Sequence, residues 1–343
     1  MKISSRHIGK ILIDDIYSVS GNLLLKKGTI LTQKHVESLQ KHNYSFDHTL
    51  LIEQPTHHSN DYFEHVKTIY QNSVNAFRTV FLKLEKEKLP PIEEINQLLA
   101  PLVDRFFEDP VFISYIQQVK NHDNSTYTHS LNVGLYASLI GKILGLDREK
   151  IKLLGQMGLF HDVGKLLIDK NILHKPGRLT ESEWNEIQKH TTFGYELLRI
   201  NKSIDPLILQ GALLHHERLD GSGYPTRLKH EKIPYFVQIL SVADMYDALS
   251  SERSYRPKQN LFVTTKILIQ EASYNRLNPA IVYPFVRCIL SNHIQDMVIL
   301  NNGQLAEIIF VHADEPHLPI IRIDDHYIDL RKRKDIEIVD FAH

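Results

Sequence analysis

The sequence predicts a mainly α-helical fold, in which a helical-bundle core follows a small α/β module and precedes a small β-rich extension. Three observations lead to this prediction. Apolar residues recur at three- and four-residue steps through the middle of the chain, as in amphipathic helices. Apolar and polar residues alternate near both ends, which is typical of half-buried strands. Segments containing Gly and Pro separate these patterns from one another.

These patterns divide the 343 residues into four segments. We expect a small α/β module at 1–55, a helical hairpin or linker at 60–109, the helical core at 110–293 and the β-rich extension at 294–343. A chain of this length can bury one sizeable core and still carry smaller appended modules.

Two strands and a helix are predicted in the N-terminal module. The segments IGKILIDDIYS and GNLLLKKGTIL alternate apolar and polar residues, and Ser-Gly-Asn at 20–22 supplies a turn between them. Thr32 is a suitable N-cap, and it precedes QKHVESLQKH, which has the pattern of a short amphipathic helix.

Two further helices are predicted at 60–88 and at about 92–108, separated by Leu-Pro-Pro at 89–91. The first carries an apolar stripe with helical spacing. Its members are Phe63, Val66, Tyr70, Val74, Phe77, Phe81 and Leu84. The two helices pack either against each other or against a second copy of the chain, as a homodimer, and the sequence leaves both alternatives open.

Residues 111–290 are predicted to be almost entirely helical, interrupted by Gly/Pro loops at 174–178 and 219–225. After residue 294 the pattern changes to alternating, β-branched segments, with turn residues at 301–303 and 324–325. A small sheet is therefore expected at the C-terminal end.

Bulk composition argues against several classes of function. The net charge of −1 provides no global basic field that would attract DNA. No run of about 18 apolar residues occurs, so no membrane span is expected. The single cysteine, Cys288, cannot form an intrachain disulfide, and the N-terminus lacks the apolar stretch of a signal peptide. We therefore expect a cytoplasmic protein.

Five patches of the helical region carry His or Asp residues that could form one site. The residues are His129, His161, Asp162, His190, His215, His216 and Asp244. Successive patches lie roughly 25 to 32 residues apart, which is about the length of a helix with its loop or of a helix pair. A helical bundle can return the chain to one point at such intervals.

These residue types and their surroundings favour a metal centre. A lone buried histidine such as His129 is more often a hydrogen-bonded core residue than a ligand. The pair His161-Asp162 follows the apolar stretch LLGQMGLF, where two polar groups cost several kcal/mol each unless they are paired or bind a metal. Imidazole and carboxylate ligands together suit iron, manganese or zinc, and an adjacent His-Asp pair lets one carboxylate bridge two ions.

Four motifs, in this order, give the chain a family resemblance. HDVGK, KPGRLT, HHERLDGSGYP and VADMYDALSSERSYRP together resemble the HD-GYP family of HD-superfamily metal-dependent phosphohydrolases. The match runs through about 125–260, and the flanking helices extend it to roughly 110–290. The resemblance implies an all-helical core and a bacterial phosphodiesterase that hydrolyses cyclic di-GMP to linear pGpG and in some members onward to GMP.

The resemblance also implies roles for the site residues. Asp162 should bridge two divalent metal ions, with iron or manganese expected, and Lys165 should contact the scissile phosphate or the leaving oxygen. The remaining ligands divide into His129, His161 and Asp244 for one ion and His190, His215 and His216 for the other. A hydroxide shared by the two ions is the expected nucleophile.

Substrate contacts follow from two further parts of the resemblance. The signature loop places Gly223, Tyr224 and Pro225 at the ligand, where Tyr224 can stack on or hydrogen-bond a nucleotide. Arg253 and Arg256 match the family's basic positions for the second phosphate, because a planar guanidinium suits a phosphodiester.

One departure from the family pattern limits the number of metals. Some members bind a third ion through a glutamate four residues before the first ligand histidine, and Ser125 stands at that position here. We therefore expect two metals. The alternatives to a cyclic di-GMP phosphodiesterase are a phosphohydrolase for another cyclic dinucleotide or nucleotide, and a catalytically silent cyclic dinucleotide receptor or adaptor.

Overall fold

A computed structural model describes most of the chain. The described residues are 7, 10–12, 16–17, 23–25, 29, 31–41, 51–52, 60–85, 97, 102–105, 126–251 and 259–342. The chain divides into two compact units, Met1–Thr68 and Ile69–His343, which are described separately.

The first unit contains short paired strands and a capped helix. Its elements are β1 (Ile11–Leu12), β2 (Ile16–Tyr17), β3 (Leu23–Leu25), α1 (Gln33–Lys41) and β4 (Leu51–Ile52). Strand β1 pairs antiparallel with β4, and β2 with β3. Thr32 caps α1 as predicted, because its Oγ1 accepts a hydrogen bond from the His35 N–H at 3.3 Å. The predicted turn at 20–22 lies outside the described residues.

The second unit is built around a helical core, which confirms the predicted fold class. Its helices are the long α2 (Asn60–Glu85, beginning in the first unit), α3 (Thr126–Ile143), α4 (Arg148–Phe160), α5 (Lys170–Leu173), α6 (Glu181–Gln188), α7 (His190–Leu198), α8 (Pro206–Leu214), α9 (Tyr235–Ser250), α10 (Leu261–Ser273) and α11 (Pro279–Ser291). Short 3₁₀ helices occur at Val163–Leu167 and His230–Lys232. Within the part of the chain that is described, no helix has both the length and the apolar character to cross a bilayer.

Polar residues at the helix ends fix where the helices begin. Asp147, Asp205 and Asn278 cap α4, α8 and α11 by accepting hydrogen bonds from backbone N–H groups in the first turn. Thr180 and Glu183 form a reciprocal capping box at the start of α6. Each of these capping contacts joins residues only two or three positions apart, so it depends on local sequence.

Helices α3, α9 and α11 meet in the apolar core. Tyr136 of α3 packs edge-to-face on Tyr246 of α9 at 4.8 Å between ring centroids, and Tyr246 packs on Phe285 of α11 at 5.0 Å. All three residues are buried. Because the core surrounds α3 on most sides, the polar residues in this helix are removed from water as well.

The second half of α2 packs on this core. Phe77 and Phe81 are almost fully buried, and their rings contact Phe160 and Tyr127 at 6.4 and 5.4 Å. The Tyr70 hydroxyl donates a hydrogen bond of 2.6 Å to Asn132 Oδ1. Contacts with the core therefore account for this part of the apolar stripe. The packing of the two predicted helices against each other and the homodimer both stay predictions. The second predicted helix, 92–108, is described only at 97 and 102–105.

A five-stranded antiparallel sheet forms the predicted C-terminal extension. Its strands are β5 (Met297–Leu300), β6 (Leu305–Phe310), β7 (Ile320–Ile323), β8 (His326–Asp329) and β9 (Ile338–Phe341), in the order β8-β7-β6-β5-β9. Val298, Ala306 and Ile321 lie on its buried face. The turns at 301–303 and 324–325 join β5 to β6 and β7 to β8, as the sequence predicts.

Candidate metal centre

The structure brings together all seven side chains that the sequence analysis selected as metal ligands. They come from five helical elements. His129 lies on α3, His161 and Asp162 follow α4, His190 begins α7, His215 and His216 follow α8, and Asp244 lies on α9. All are buried except His216, whose side chain is 21% exposed.

The seven side chains form two groups. His129, His161 and Asp244 make one, and Asp162, His190, His215 and His216 make the other. Within each group, one potential ligand atom per residue lies within 4.8 Å of all the others. This grouping matches the division of ligands between two ions that the family resemblance implies.

The Asp162 carboxylate lies between the two groups. Its Oδ2 is 3.4 Å from the Nε2 atoms of both His129 and His161. Its Oδ1 is 3.4 Å from His190 Nε2 and 3.8 Å from His215 Nε2. Each oxygen of this carboxylate therefore faces a different group, and its predicted role as a bridge between two ions stays a prediction.

Two buried atoms at the centre test whether the cluster fits a metal. His161 Nε2 and Asp162 Oδ1 are buried and have no hydrogen-bond partner among the described residues. An unsatisfied buried polar atom costs on the order of 1–3 kcal/mol, so two side by side in the core need an explanation. Cation binding supplies one, since imidazole and carboxylate are ligands of divalent metals. The buried cluster therefore fits a divalent metal site.

Backbone carbonyls orient three of the imidazoles. The Nδ1–H groups of His161, His190 and His215 donate to the carbonyls of Gly158, Ile187 and Gly211, one turn earlier, at 2.7, 2.7 and 3.0 Å. Each such bond fixes the tautomer and leaves the lone pair on Nε2 directed into the centre.

His129 is oriented by a carboxylate that the sequence analysis missed. Its Nδ1–H donates to Asp247 Oδ2 at 2.7 Å, and Asp247 is buried. The signal was present in VADMYDALS, because Asp244 and Asp247 are three residues apart and therefore face the same side of one helix.

Burial sets the protonation state of most of the imidazoles. It lowers the pKa of His190 to about 4 and holds the pKa values of His215 and His216 well below their ordinary value. His161 differs: although burial opposes the shift, the neighbouring Asp162 raises its pKa. Three of the imidazoles are thus neutral near pH 7, as metal ligands must be.

Both carboxylates are held in the ionised form. Burial opposes this, but Lys165 and His161 keep the pKa of Asp162 well below its ordinary value. At Asp244 burial also acts against ionisation, but the surrounding histidines, His129 foremost, together hold its pKa well below its ordinary value. Ionised carboxylates are the form that binds a cation.

A glycine permits the tight turn after Asp162. A Cβ on Gly164 would lie only 1.9 Å from the His190 carbonyl oxygen, so the 3₁₀ helix can touch the start of α7 only with glycine there. The turn also directs Lys165 back to the centre, where its Nζ lies 2.5 Å from Asp162 Oδ2. The predicted lysine is thus in place beside the ligands.

The Gly-Tyr-Pro loop lies against the second ligand group. A Cβ on Gly223 would lie 2.4 Å from the His216 carbonyl oxygen, so this approach also requires glycine. The Tyr224 ring stacks on His216 with centroids 4.6 Å apart and planes inclined by 29°. Pro225 is exposed, and its contact with substrate stays a prediction.

A buried glutamate that the sequence analysis also missed holds this loop. The Glu217 carboxylate accepts hydrogen bonds from the Thr226 N–H and hydroxyl, each at 2.8 Å, and from the Leu228 N–H at 2.9 Å. The signal was an acidic residue directly after the His215-His216 doublet, which itself follows the apolar run GALL.

Some predicted positions lie outside the described residues. Arg253 and Arg256 fall in 252–258, and Ser125 falls in 106–125. Their roles at the second phosphate, and in limiting the centre to two metals, stay predictions.

The fold and the centre define a class of protein: a helical bundle with a buried His/Asp site for divalent metal ions. Residues 111–281 match the family model described as HD domain. The chain belongs to this HD family, and its HDVGK and GSGYP motifs place it in the HD-GYP branch.

Named relatives from several bacteria resemble the chain. A cyclic di-GMP phosphodiesterase of Pseudomonas aeruginosa is 30% identical over 60% of this chain and 49% of its own length. One from Thermotoga maritima is 33% identical over 62% of this chain and 58% of its own length. A 3′3′-cGAMP-specific phosphodiesterase of Vibrio cholerae is 39% identical over 47% and 37%. The chain thus spans roughly half the length of these relatives, or less.

A solved structure supports the fold. The HDG"Y"P protein Bd1817 of Bdellovibrio bacteriovorus superposes with a TM-score of 0.55, covering 83% of this chain and 97% of that one. Only 17% of the residues are identical, so the likeness concerns the fold alone.

Proposed function

We propose that this chain is a metal-dependent phosphodiesterase that hydrolyses cyclic di-GMP to linear pGpG. The observation that carries the proposal is the Asp162 carboxylate, which offers one oxygen to each of two ligand groups. The relatives named as cyclic di-GMP phosphodiesterases, at 30% and 33% identity, support the choice of substrate.

In this proposal Asp162 and the two groups beside it would hold two divalent ions. His129, His161 and Asp244 would be the ligands of one, and His190, His215 and His216 those of the other. Bound there, the ions would supply Lewis-acid activation of the phosphodiester and of the attacking water. Iron or manganese is the expected metal, because both accept mixed imidazole and carboxylate ligands.

The chain's own residues position the substrate and compensate charge. Lys165 places an ammonium beside Asp162, where it would stabilise negative charge on the phosphoryl oxygens or the departing 3′ oxygen. Water adds to phosphorus as the 3′ ester bond breaks, which gives a 5′ phosphomonoester and a 3′ hydroxyl.

The loop with Gly223, Tyr224 and Pro225 would border the nucleotide, and Arg253 and Arg256 would hold the second phosphodiester.

A second candidate substrate is 3′3′-cyclic GMP-AMP. The relative with this printed specificity is 39% identical to the chain over the matched residues. The centre acts on the phosphodiester, which the two messengers share, so its geometry supports either. With either substrate we expect the protein in the cytoplasm, where these messengers act.

Turnover tests the proposal directly. Protein purified without oxygen and loaded with iron or manganese should hydrolyse cyclic di-GMP, with pGpG detected by chromatography and metal content measured by elemental analysis. Asp162→Asn should abolish turnover, because it removes the charge between the two groups. Asp325→Asn, in an exposed turn, is the matched control and should keep full activity.

Two outcomes would contradict the proposal. Metal-loaded protein that leaves every 3′3′ cyclic dinucleotide intact is not a phosphodiesterase of this class. Tight binding without turnover would instead support the receptor alternative.

A further inference from the structure

Trp184 is the only tryptophan in the chain, and it lies on helix α6 close to the candidate metal centre. It is 46% exposed. The helix that carries it is firmly held, since Thr180 and Glu183 form the capping box and Lys175 Nζ bonds both Glu183 oxygens at 2.7 and 2.8 Å. The indole is thus a surface group on a fixed support.

Aromatic rings connect this indole to the metal ligands. The Trp184 and Tyr224 rings are 6.4 Å apart and nearly perpendicular, at 79°. Tyr224 in turn stacks on His216 at 4.6 Å and lies 6.3 Å from His190. Two ring contacts therefore separate the exposed indole from the ligand His216.

Exposure alone would not mark Trp184 as a binding residue, because single apolar residues are common on protein surfaces. Ile200, for example, is 74% exposed. Trp184 differs in its position at the edge of the centre and in the size of its π face. Tyr224 already covers His216 with its own ring and is itself mostly buried, which raises the pKa of its phenol and keeps it neutral.

We propose that the open face of Trp184 is a nucleobase-stacking subsite. With one phosphodiester of a cyclic dinucleotide at the metal centre, the adjacent purine rests on the indole. This inference rests on the proposed function and adds a binding residue to it. Stacking on an aromatic side chain recognises the π face that all bases share, so Trp184 contributes affinity without separating guanine from adenine.

Steady-state kinetics test the subsite. Trp184→Leu keeps an apolar side chain but removes the π face, and it should raise KM for cyclic di-GMP about 10-fold with kcat nearly unchanged. The fold-increase in KM should be the same when 3′3′-cyclic GMP-AMP is the substrate. Trp184→Phe should restore most of the affinity, and Ile200→Ala, an exposed residue away from the rings, should match the unaltered chain. An unchanged KM in Trp184→Leu would overturn the subsite and leave the proposed function intact.

Fluorescence gives a test that does not depend on turnover. Because Trp184 is the only tryptophan, indole emission reports on this residue alone. Metal-loaded protein titrated with the hydrolysis-resistant bis-phosphorothioate of cyclic di-GMP should show saturable quenching, whereas ribose 5-phosphate, which lacks a base, should cause none.

The outcomes separate the two proposals. Quenching without hydrolysis of the natural messenger keeps the subsite and rejects the phosphodiesterase. Binding of the analogue, measured by equilibrium dialysis, with unchanged indole emission rejects the subsite. No binding by dialysis rejects the subsite as well.

Discussion

Asp247 is not one of the candidate ligands, but it orients one of them, His129. Its buried carboxylate accepts the Nδ1–H of His129 at 2.7 Å, so the opposite nitrogen, Nε2, faces Asp162 and Asp244. Orienting partners of this kind are typically worth 10- to 100-fold in metal affinity.

Asp247→Asn should therefore weaken metal binding by about 10- to 100-fold, because an amide can present N–H to the ring and stabilise the wrong tautomer. Isothermal titration of metal-free protein with Mn²⁺ measures the effect. Asp325→Asn controls for the loss of one negative charge. Equal Mn²⁺ affinity in Asp247→Asn and the unaltered chain would contradict the assigned role.

The low pKa of His190 predicts how the metal-free protein responds to acid. Its folded pKa is about 4 against an ordinary 6.5, so below about pH 6.5 the unfolded chain binds a proton that the folded chain does not. The free energy of unfolding should then fall as the pH is lowered from about 7 towards 4, by about 3 kcal/mol from His190 alone. His215 and His216 act in the same direction, whereas His161 opposes them.

Urea unfolding of chelator-treated protein at several values between about pH 7 and pH 5 measures how steeply the free energy of unfolding changes with pH. His190→Asn should make this pH dependence less steep, because it removes one of the groups that take up a proton on unfolding. A free energy of unfolding that stays constant or rises on acidification would show that the imidazoles are not held neutral by burial.

At the scale of elements, close approach of the backbone sets the spacing of the ligands. The 3₁₀ helix Val163–Leu167 touches the start of α7 through Gly164, and this contact fixes His190 relative to Asp162. Glu217 acts similarly on the loop that carries Tyr224, by accepting hydrogen bonds from residues on its far side.

Gly164→Ala should destabilise the fold by about 1–3 kcal/mol or more, because the new methyl group meets the His190 carbonyl and the backbone must move. Gly194→Ala on α7 is the matched control, since its Cβ would have nearest neighbours at 3.3–3.5 Å. Thermal unfolding compares the variants, and Mn²⁺ titration shows whether the ligand groups have separated. Equal melting temperatures for the two variants would contradict the tight approach at Gly164.

At the scale of the whole molecule, the second half of α2 belongs to the second unit, which contains the candidate metal centre. Phe77 packs on Phe160, the residue directly before His161, and Phe81 packs on Phe77. This half of the helix therefore supports the element that carries two candidate ligands.

Phe77→Ala should lower the free energy of unfolding by about 3–5 kcal/mol, the usual cost of removing a buried phenylalanine ring. Leu82→Ala, 43% exposed on the same helix, should cost less than about 1 kcal/mol. Chemical unfolding followed by circular dichroism measures both.

A melting temperature that rises with protein concentration in the unaltered chain would favour the homodimer alternative for this region.

The sequence predicted much of the fold because its signals are local. The helix cap at Thr32, the change to alternating β-branched residues after 294 and the turn at 301–303 all act within a few residues of where they are found. By contrast, the apolar stripe of α2 could not show what it packs against, since periodicity identifies a face and not its partner.

The sequence by itself determined which seven side chains to consider as ligands, because imidazole and carboxylate in apolar surroundings are costly unless they bind something. Tertiary structure alone decided that Asp162 faces both groups, that Asp247 orients His129, that Glu217 holds the loop and that Trp184 borders the centre. The physical reason is that these contacts join residues distant in sequence, and their distances are set by how the helices pack and not by any local pattern.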